Sequence, residues 1–75
     1  MGALFFYDET VNAHDSKGGK SMCTVEVLDN HGVPEIRIGP EGEAHHGFMA
    51  MFHDWEQFER FVEAVNSLHF RLKGD

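Results

Sequence analysis

The sequence contains little cysteine, few basic residues and no long apolar run, and each shortage limits what the protein can be. Its 75 residues include one cysteine, Cys23, so the domain has no internal disulfide and needs a core or an association for stability. No segment approaches the roughly 20 apolar residues that span a bilayer, and the start MGALFFYDET has no signal-peptide pattern. We therefore expect a cytoplasmic protein without a membrane partner.

Basic residues are outnumbered by acidic ones. Six lysines and arginines against thirteen aspartates and glutamates give a formal net charge of -7. A field of this sign repels nucleic-acid phosphates and anionic membrane surfaces, and it attracts basic protein surfaces. Charge therefore disfavours nucleic acid as a partner and favours another protein with a basic surface.

Size and apolar content indicate one folded domain. A hydrophobic content of 41%, with 12% aromatic residues, is too high for an intrinsically disordered chain. A chain this short has room for a single core. We assign residues 1–75 to one small domain.

Four segments have the composition or the alternation of β-strands. The predicted strands are residues 3–7, 22–28, 34–38 and 48–52, with a turn at 29–32 and loops at 8–21 and 39–47. The second strand places Cys23, Val25 and Val27 on one face. The fourth, FMAMF, is apolar on both faces, with Met49 and Met51 on one of them.

The carboxyl-terminal third has the period of an amphipathic helix. The apolar stripe contains Trp55, Phe58, Phe61, Val62, Val65, Leu68 and Leu72. Asp54 is a suitable N-cap, Gln57 completes a capping box, and Gly74 is placed to end the helix. The sequence therefore predicts a helix that begins at Trp55.

Together these elements predict an α+β fold, an antiparallel sheet of about four strands with one amphipathic helix packed on one face, in the order ββββα. One helix hides one face of the sheet, whereas FMAMF presents apolar side chains on both. We expect an apolar outer face, which in a small domain commonly marks an association surface. The alternative is that the loop at residues 8–21 folds over that face.

The stretch Gly18-Gly19-Lys20-Ser21 resembles the end of a phosphate-binding loop. That motif requires a first glycine at position 14, where His14 stands, and a helix after the loop. A β pattern follows Ser21 instead. We interpret the stretch as a turn.

Neither a metal site nor a catalytic site is indicated. The six histidines, His14, His31, His45, His46, His53 and His69, lack the spacing of zinc sites. Adjacent His45 and His46 on an extended backbone would point to opposite sides. Cys23 shares its strand face with valines, where a buried, inert thiol is usual. We expect no metal, no cofactor and no enzymatic activity.

Two other functions stay open. Four strands followed by a helix resembles the architecture of the positive-cofactor type of single-strand-binding transcription factor, whose dimeric sheets combine aromatic and basic residues. Only Lys17, Lys20 and Arg37 lie near the strands here, so single-stranded nucleic-acid binding is an alternative rather than the leading hypothesis. A structural homodimer subunit is the other alternative.

Several short motifs resemble those of the BldB-like actinobacterial developmental regulators, which are small domains of unknown function. They are Cys23-Thr24-Val25-Glu26-Val27, Ile36-Arg37, Gly39-Pro40, and Phe52 with Trp55 and Phe58, over about half of the chain. Thr24 and Ile38 depart from the family pattern. The resemblance implies a small, non-enzymatic regulatory partner, with dimerisation as one form.

The leading hypothesis is an acidic protein–protein interaction module that regulates or inhibits its partner, of the kind that phage anti-defence proteins and transcription-regulatory partners represent. Apolar contacts are assigned to Phe5, Tyr7, Met49 and Met51. Complementary charge is assigned to Glu41, Glu43, Glu56, Glu59 and Glu63.

Overall fold

The computed structural model of the protein describes residues 3–14 and 17–74. Their elements are β1 Leu4–His14, β2 Lys20–Asn30, β3 Val33–Pro40, a 3-10 turn Ala44–His46, β4 Phe48–Met51 and α1 Trp55–Lys73. The strands form an antiparallel sheet in the order β1-β2-β3-β4. The predicted α+β class with its ββββα order is confirmed.

The β1–β2 hairpin is longer than the sequence indicated. The predicted loop at residues 8–21 is wrong at both ends, because residues 8–14 continue β1 and residues 20 and 21 begin β2; residues 15 and 16 lie outside the described residues. Backbone pairing with β2 holds this polar stretch in the sheet despite its weak strand preference. Since residues 8–14 are part of the sheet, they do not fold over it.

The glycine-lysine stretch lies at the tip of the same hairpin. Gly18 has φ 85 in the turn, and Lys20 and Ser21 already belong to β2. The backbone therefore continues into a strand and not into a helix, as the interpretation of the stretch as a turn requires.

A two-residue turn joins β2 to β3. His31 and Gly32 have φ values of 57 and 89, and positive φ at both central residues is the requirement of a type I′ hairpin turn. The Gly32 backbone N–H donates to Asp29 Oδ1 at 2.5 Å. The predicted turn at residues 29–32 is confirmed, and it fixes the register of the next strand.

Register divides the side chains of the sheet between two faces. The helix-side face carries Tyr7, Val11, Cys23, Val25, Val27, Ile36, Ile38, Phe48 and Ala50. The far face carries Phe5, Asp8, Thr10, Thr24, Glu26, Leu28, Glu35, Arg37, Met49 and Met51. The helix-side face is mainly apolar at its centre but also carries Glu9, which pairs with Val25, whereas the far face mixes apolar and charged side chains throughout.

The ends of α1 follow the sequence prediction. Asp54 accepts the Gln57 backbone N–H at 2.8 Å, and Gly74 has φ 85 with its N–H donated to the Phe70 carbonyl. The Gln57 side chain accepts from the backbone N–H of His53 at 2.6 Å, one residue earlier than a standard capping box has it. Within residues 3–14 and 17–74, no helix is both long and apolar enough to cross a membrane.

The helix packs on the sheet less completely than predicted. Trp55 and Phe58, in its first turns, share a cleft of about 310 Å³ with Val27 and Pro34 of the helix-side face. Exposure of the apolar stripe then rises from 39% at Phe61 to 47% at Val65, 55% at Leu68 and 75% at Leu72. None of the helix residues is buried. Trp55 at the start of the helix is itself 60% exposed, so the helix borders the sheet at this cleft and does not lie across it.

The protomer is open for its size. Among the described residues, the buried apolar side chains are Leu28 and Ala44. The accessible surface is 6126 Å², against about 4,700 Å² expected for a compact monomer of this mass. The radius of gyration is 14.0 Å, against about 11 Å for a compact chain of this length. The apolar surface that a core would hide is largely exposed.

Candidate functional site

The first row of the candidate site crosses the far face of all four strands. Phe5 pairs with Leu28, Leu28 with Glu35, and Glu35 with Met51. Leu28 is 2% exposed, whereas Phe5 and Met51 at the two ends are 50% and 60% exposed. The row is therefore buried at its centre, and an apolar side chain is exposed at each of its two ends.

A second row runs beside the first and is mostly charged. Asp8 pairs with Glu26, Glu26 with Arg37, and Arg37 with Met49. Met49 is 57% exposed and, because it lies two residues from Met51 on β4, the two methionines stand side by side on this face. The edge strand thus presents two adaptable thioether side chains next to a charged centre.

The charged centre is a buried network around Glu35. Glu35 is 2% exposed, and its carboxylate accepts from Asn30 Nδ2 at 2.9 Å and from Arg37 Nε at 2.6 Å. The hydrogen bond from Arg37, followed by that from Asn30, holds the pKa of Glu35 below its usual value of 4.5, against the opposing effect of burial. Glu35 is therefore a fixed negative charge near neutral pH.

The carboxylate of Glu26 has fewer hydrogen-bond partners than that of Glu35. Its Oε1 lies 3.7 Å from Arg37 Nη1, which is too long for a hydrogen bond. Within the described part of the chain, this oxygen is buried and has no hydrogen-bond partner. Two carboxylates share one guanidinium, so the centre of the far face has an acidic excess and an unused acceptor.

The segment between β3 and β4 folds back over one end of the far face. Its Gly42 backbone N–H donates to Thr24 Oγ1 at 2.7 Å, and Ala44 packs against the sheet with 0% exposure. Gly39 is required beneath it, because a Cβ there would lie 2.8 Å from the Ala44 carbonyl oxygen. The segment leaves Glu41 and Glu43 exposed at the rim of the sheet.

The histidine pair of this segment differs from its prediction. His45 and His46 do not point to opposite sides, because residues 44–46 form a 3-10 turn, and their ring centroids are 4.1 Å apart. His46 Nδ1 lies 3.0 Å from Glu43 Oε1. Across residues 3–14 and 17–74, no group of three His, Cys, Asp or Glu side chains is arranged to hold a metal ion.

Tyr7 lies on the opposite face from the other apolar candidates. A register irregularity between Phe5 and Tyr7 shifts the alternation by one, so that Tyr7 pairs with Val27 on the helix-side face. Its hydroxyl donates to Glu9 Oε1 at 3.4 Å. Partial burial, then the charge of Glu9 and this hydrogen bond, raise the pKa of Tyr7 above 10.0. A single bulge therefore removes Tyr7 from the far face.

The helix glutamates form a separate acidic strip. Glu56, Glu59 and Glu63 are exposed and lie on one flank of α1 at helical spacing. Trp55 Nε1 donates to Glu59 Oε2 at 2.8 Å, which ties the first of the stripe aromatics to this flank. Glu59 and Glu63 border a shallow groove with Trp55 and Val62.

The structure therefore divides the predicted residues among four places. Phe5, Met49 and Met51 share the far face, and Tyr7 lies behind them on the helix-side face. The predicted glutamates lie on the β3–β4 segment and on the helix. Sequence reasoning missed the buried network of Asn30, Glu26, Glu35 and Arg37. Its signal was the alternation that sets Glu35 and Arg37 on one side of β3.

Cys23 is the remaining group with chemistry of its own. It was expected to be buried, and it is a free, partly exposed thiol on the helix-side face beside Val25 of the same strand. The segments that resemble BldB-like domains lie in β2, in the middle and at the end of β3, just after β4 and at the start of α1. No family model, curated protein or solved structure matches this chain. That resemblance stays a prediction.

Proposed function

We propose that the protein is a non-enzymatic interaction module that binds a partner protein through the far face of its sheet and so regulates or inhibits that partner. The observation that carries the proposal is an exposed apolar edge around a buried, acidic centre that has an unused acceptor. The partner surface that fits it is basic with apolar side chains at its margin.

Apolar contact is provided by Phe5, Met49 and Met51. All three are at least half exposed, and they flank the buried Leu28 and Glu35 in the register of the sheet. Methionine side chains adapt to irregular surfaces because they are unbranched and flexible. Burial of such side chains at the centre of an interface is the usual source of binding energy.

Specificity is provided by the Glu26 carboxylate. Its buried Oε1 has no hydrogen-bond donor among the described residues, which is unfavourable, and Arg37 at 3.7 Å offsets its charge only in part. An incoming lysine or arginine side chain above this point would balance the charge of the second carboxylate. A partner without a basic group at this point would leave the acidic excess of the two carboxylates unbalanced and bind less tightly.

Long-range charge favours the same kind of partner. The net charge of -7 accelerates encounter with a basic protein and slows encounter with nucleic acid. The exposed rim residues Glu41 and Glu43 add to this field at the edge of the far face. We therefore expect partner binding that weakens as ionic strength rises.

Affinity capture with matched variants tests the proposal. The wild-type protein and Met22→Asp should retain the same partner from an extract of the source cells, whereas Met49→Asp should lose at least 10-fold of it, because the new charge would be buried against the partner. Met22 is a suitable control, since it is exposed on the far face but pairs with Asn12 near the hairpin tip. A folded Met49→Asp variant that captures the partner as well as wild type would contradict the assignment.

Glu26→Gln refines the same experiment. Its neutral amide removes one of the two carboxylates and can also donate, so it should weaken binding and reduce the dependence of affinity on salt. Single-stranded DNA serves as the competing ligand in a salt titration. Binding to it that falls steeply with salt would replace the proposal by the nucleic-acid alternative.

A further inference from the structure

The distal half of α1 has an apolar stripe that is largely exposed. From Phe61 to Leu72 the exposure of the stripe rises from 39% to 75%. An isolated helix of this length gains little stability from its own hydrogen bonds and depends on packing of its apolar face. The stripe therefore needs a cover that its own sheet does not provide.

The helix-side face of the sheet is also incompletely covered. Val25, Val27 and Ile36 at its centre are partly exposed, and Ile38 and Phe48 toward the β4 edge are exposed at 47% and 87%. Trp55 and Phe58 of the helix border a cleft with Val27 and Pro34, and the rest of the face is open. A flat apolar sheet face of this kind is the natural complement of an amphipathic helix.

The helix is held away from the remainder of its own sheet. Phe52, which directly follows β4, has its ring centroid 5.3 Å from both Phe58 and Phe61. Only residues 52–54 separate β4 from α1, so the aromatic cluster fixes the direction in which the helix departs. The apolar stripe beyond Phe61 consequently extends past the sheet instead of lying across it.

We infer that two copies of this chain form a symmetric dimer in which the helix of each copy packs on the helix-side face of the other. Each copy then provides one apolar helix and one apolar sheet face, so a two-fold axis satisfies both needs at once. The excess exposed surface of one copy is large enough for a second copy of the chain to cover. The accessible surface of 6126 Å² exceeds that of a compact monomer by about 1,400 Å², and a standard interface needs about 800 Å² from each partner.

The dimer uses a different surface from the proposed partner site. The far face with Phe5, Met49 and Met51 points away from the helix-side face and stays accessible on both copies. The dimer and the complex with the partner protein should respond to salt in opposite ways. Two copies that each carry a charge of -7 repel one another, so the dimer should hold or tighten as ionic strength rises, opposite to binding of a basic partner.

Sedimentation equilibrium on the full chain is the main test. Wild type should have twice the 8.5 kDa mass of one chain. Val25→Asp on the sheet face and Leu68→Asp on the helix stripe should each raise the dimer dissociation constant at least about 100-fold, because each buries an unpaired charge. Met22→Asp on the other face and Ser67→Asp off the stripe should dimerise as wild type does.

Mixing the two interface variants tests whether the helix of one copy packs on the sheet of the other. A heterodimer of Val25→Asp with Leu68→Asp has one undamaged helix-on-sheet contact, so the mixture should dimerise at least about 10-fold more tightly than either variant alone. A monomeric wild type would overturn the inference. A mixture no tighter than the separate variants would also overturn it, since the dimer would then use other surfaces.

Disulfide trapping gives a readout that does not require a charged substitution. The thiol of Cys23 is on the helix-side face, so single cysteines at Phe61, Val65 and Leu68 can pair with it. Under oxidation at least one should give a covalent dimer on a non-reducing gel, and neither Ser67→Cys nor wild type should. A disulfide that forms only within one chain, or none from any of the three positions, would overturn the inference.

Discussion

At the scale of single residues, the notable feature is a charged side chain buried on a face with no helix over it. Glu35 is hidden by the side chains around it and is held by Arg37 and Asn30. A buried carboxylate is tolerated when charge-assisted hydrogen bonds replace its water. The network therefore fixes the register of β3 against β2 through specific polar contacts as well as through the turn.

Replacing this carboxylate should give a pH-dependent loss of stability. The pKa of Glu35 is lowered in the folded protein, so its contribution is present above 4.5 and is lost as the pH falls through the lowered value. Glu35→Gln should reduce the free energy of unfolding by about 1–3 kcal/mol at pH 7, because Arg37 loses a charged partner. At pH 3 the difference from wild type should be smaller.

Urea denaturation at the two pH values measures this difference. Glu41→Gln is the matched control, since Glu41 is exposed and its replacement should change stability little at either pH. An equal loss for Glu35→Gln at pH 7 and pH 3 would show that the carboxylate charge contributes nothing.

At the scale of secondary-structure elements, local signals were sufficient where they involve backbone chemistry. Asp54 and Gly74 end the helix as predicted, and Gly32 takes the positive φ that the β2–β3 turn requires. Each of these depends on a few neighbouring residues. Helix ends and tight turns could therefore be predicted from sequence alone.

Features that depend on pairing between strands could not be predicted. The second half of β1 is polar, and only its hydrogen bonds to β2 make it a strand. The bulge before Tyr7 changes which face its ring occupies, and nothing in ALFFY marks it. The candidate site was consequently predicted in part: Phe5 and both methionines share a face, and Tyr7 does not.

The segment between β3 and β4 gives a prediction about packing. Gly39→Ala would place a Cβ 2.8 Å from the Ala44 carbonyl oxygen and 2.9 Å from the Gly47 backbone nitrogen, and backbone atoms there have little room to move. We expect a loss of about 1–3 kcal/mol in the free energy of unfolding. Hydrogen exchange should also quicken at the Gly42 amide, whose bond to Thr24 would be disturbed.

Gly42→Ala is the comparison for this prediction. A Cβ at Gly42 meets nothing within 4 Å, but its φ of 78 is strained for alanine, which costs about 1 kcal/mol. Equal stability of Gly39→Ala and wild type would contradict the close packing of the 3-10 turn on β3.

At the scale of the whole molecule, the shortage of buried apolar residues is the dominant feature. Among the described residues, Leu28 and Ala44 are the buried apolar side chains, too few to offset the chain entropy lost on folding. In the inferred dimer, the second copy supplies the missing burial. Folding and association are then a single equilibrium.

Thermal unfolding at different protein concentrations checks this coupling. The midpoint temperature of wild type should rise by several degrees over a hundredfold increase in concentration, because dimerisation stabilises the folded state by mass action. Leu68→Asp should unfold at a lower temperature than wild type at every concentration, because its dimer is weaker. A wild-type midpoint that is independent of concentration would contradict the coupling.

The order β1-β2-β3-β4 also governs how the protein reaches its native state. Every strand pairs with its neighbour in the sequence, so the sheet can assemble by successive hairpins, each of which closes only a short loop. The type I′ turn at His31 and Gly32 is the shortest of these and offers a natural nucleus. Assembly of the sheet is then a rapid first-order process, and the encounter of two nearly complete sheets becomes the slow, second-order step of maturation.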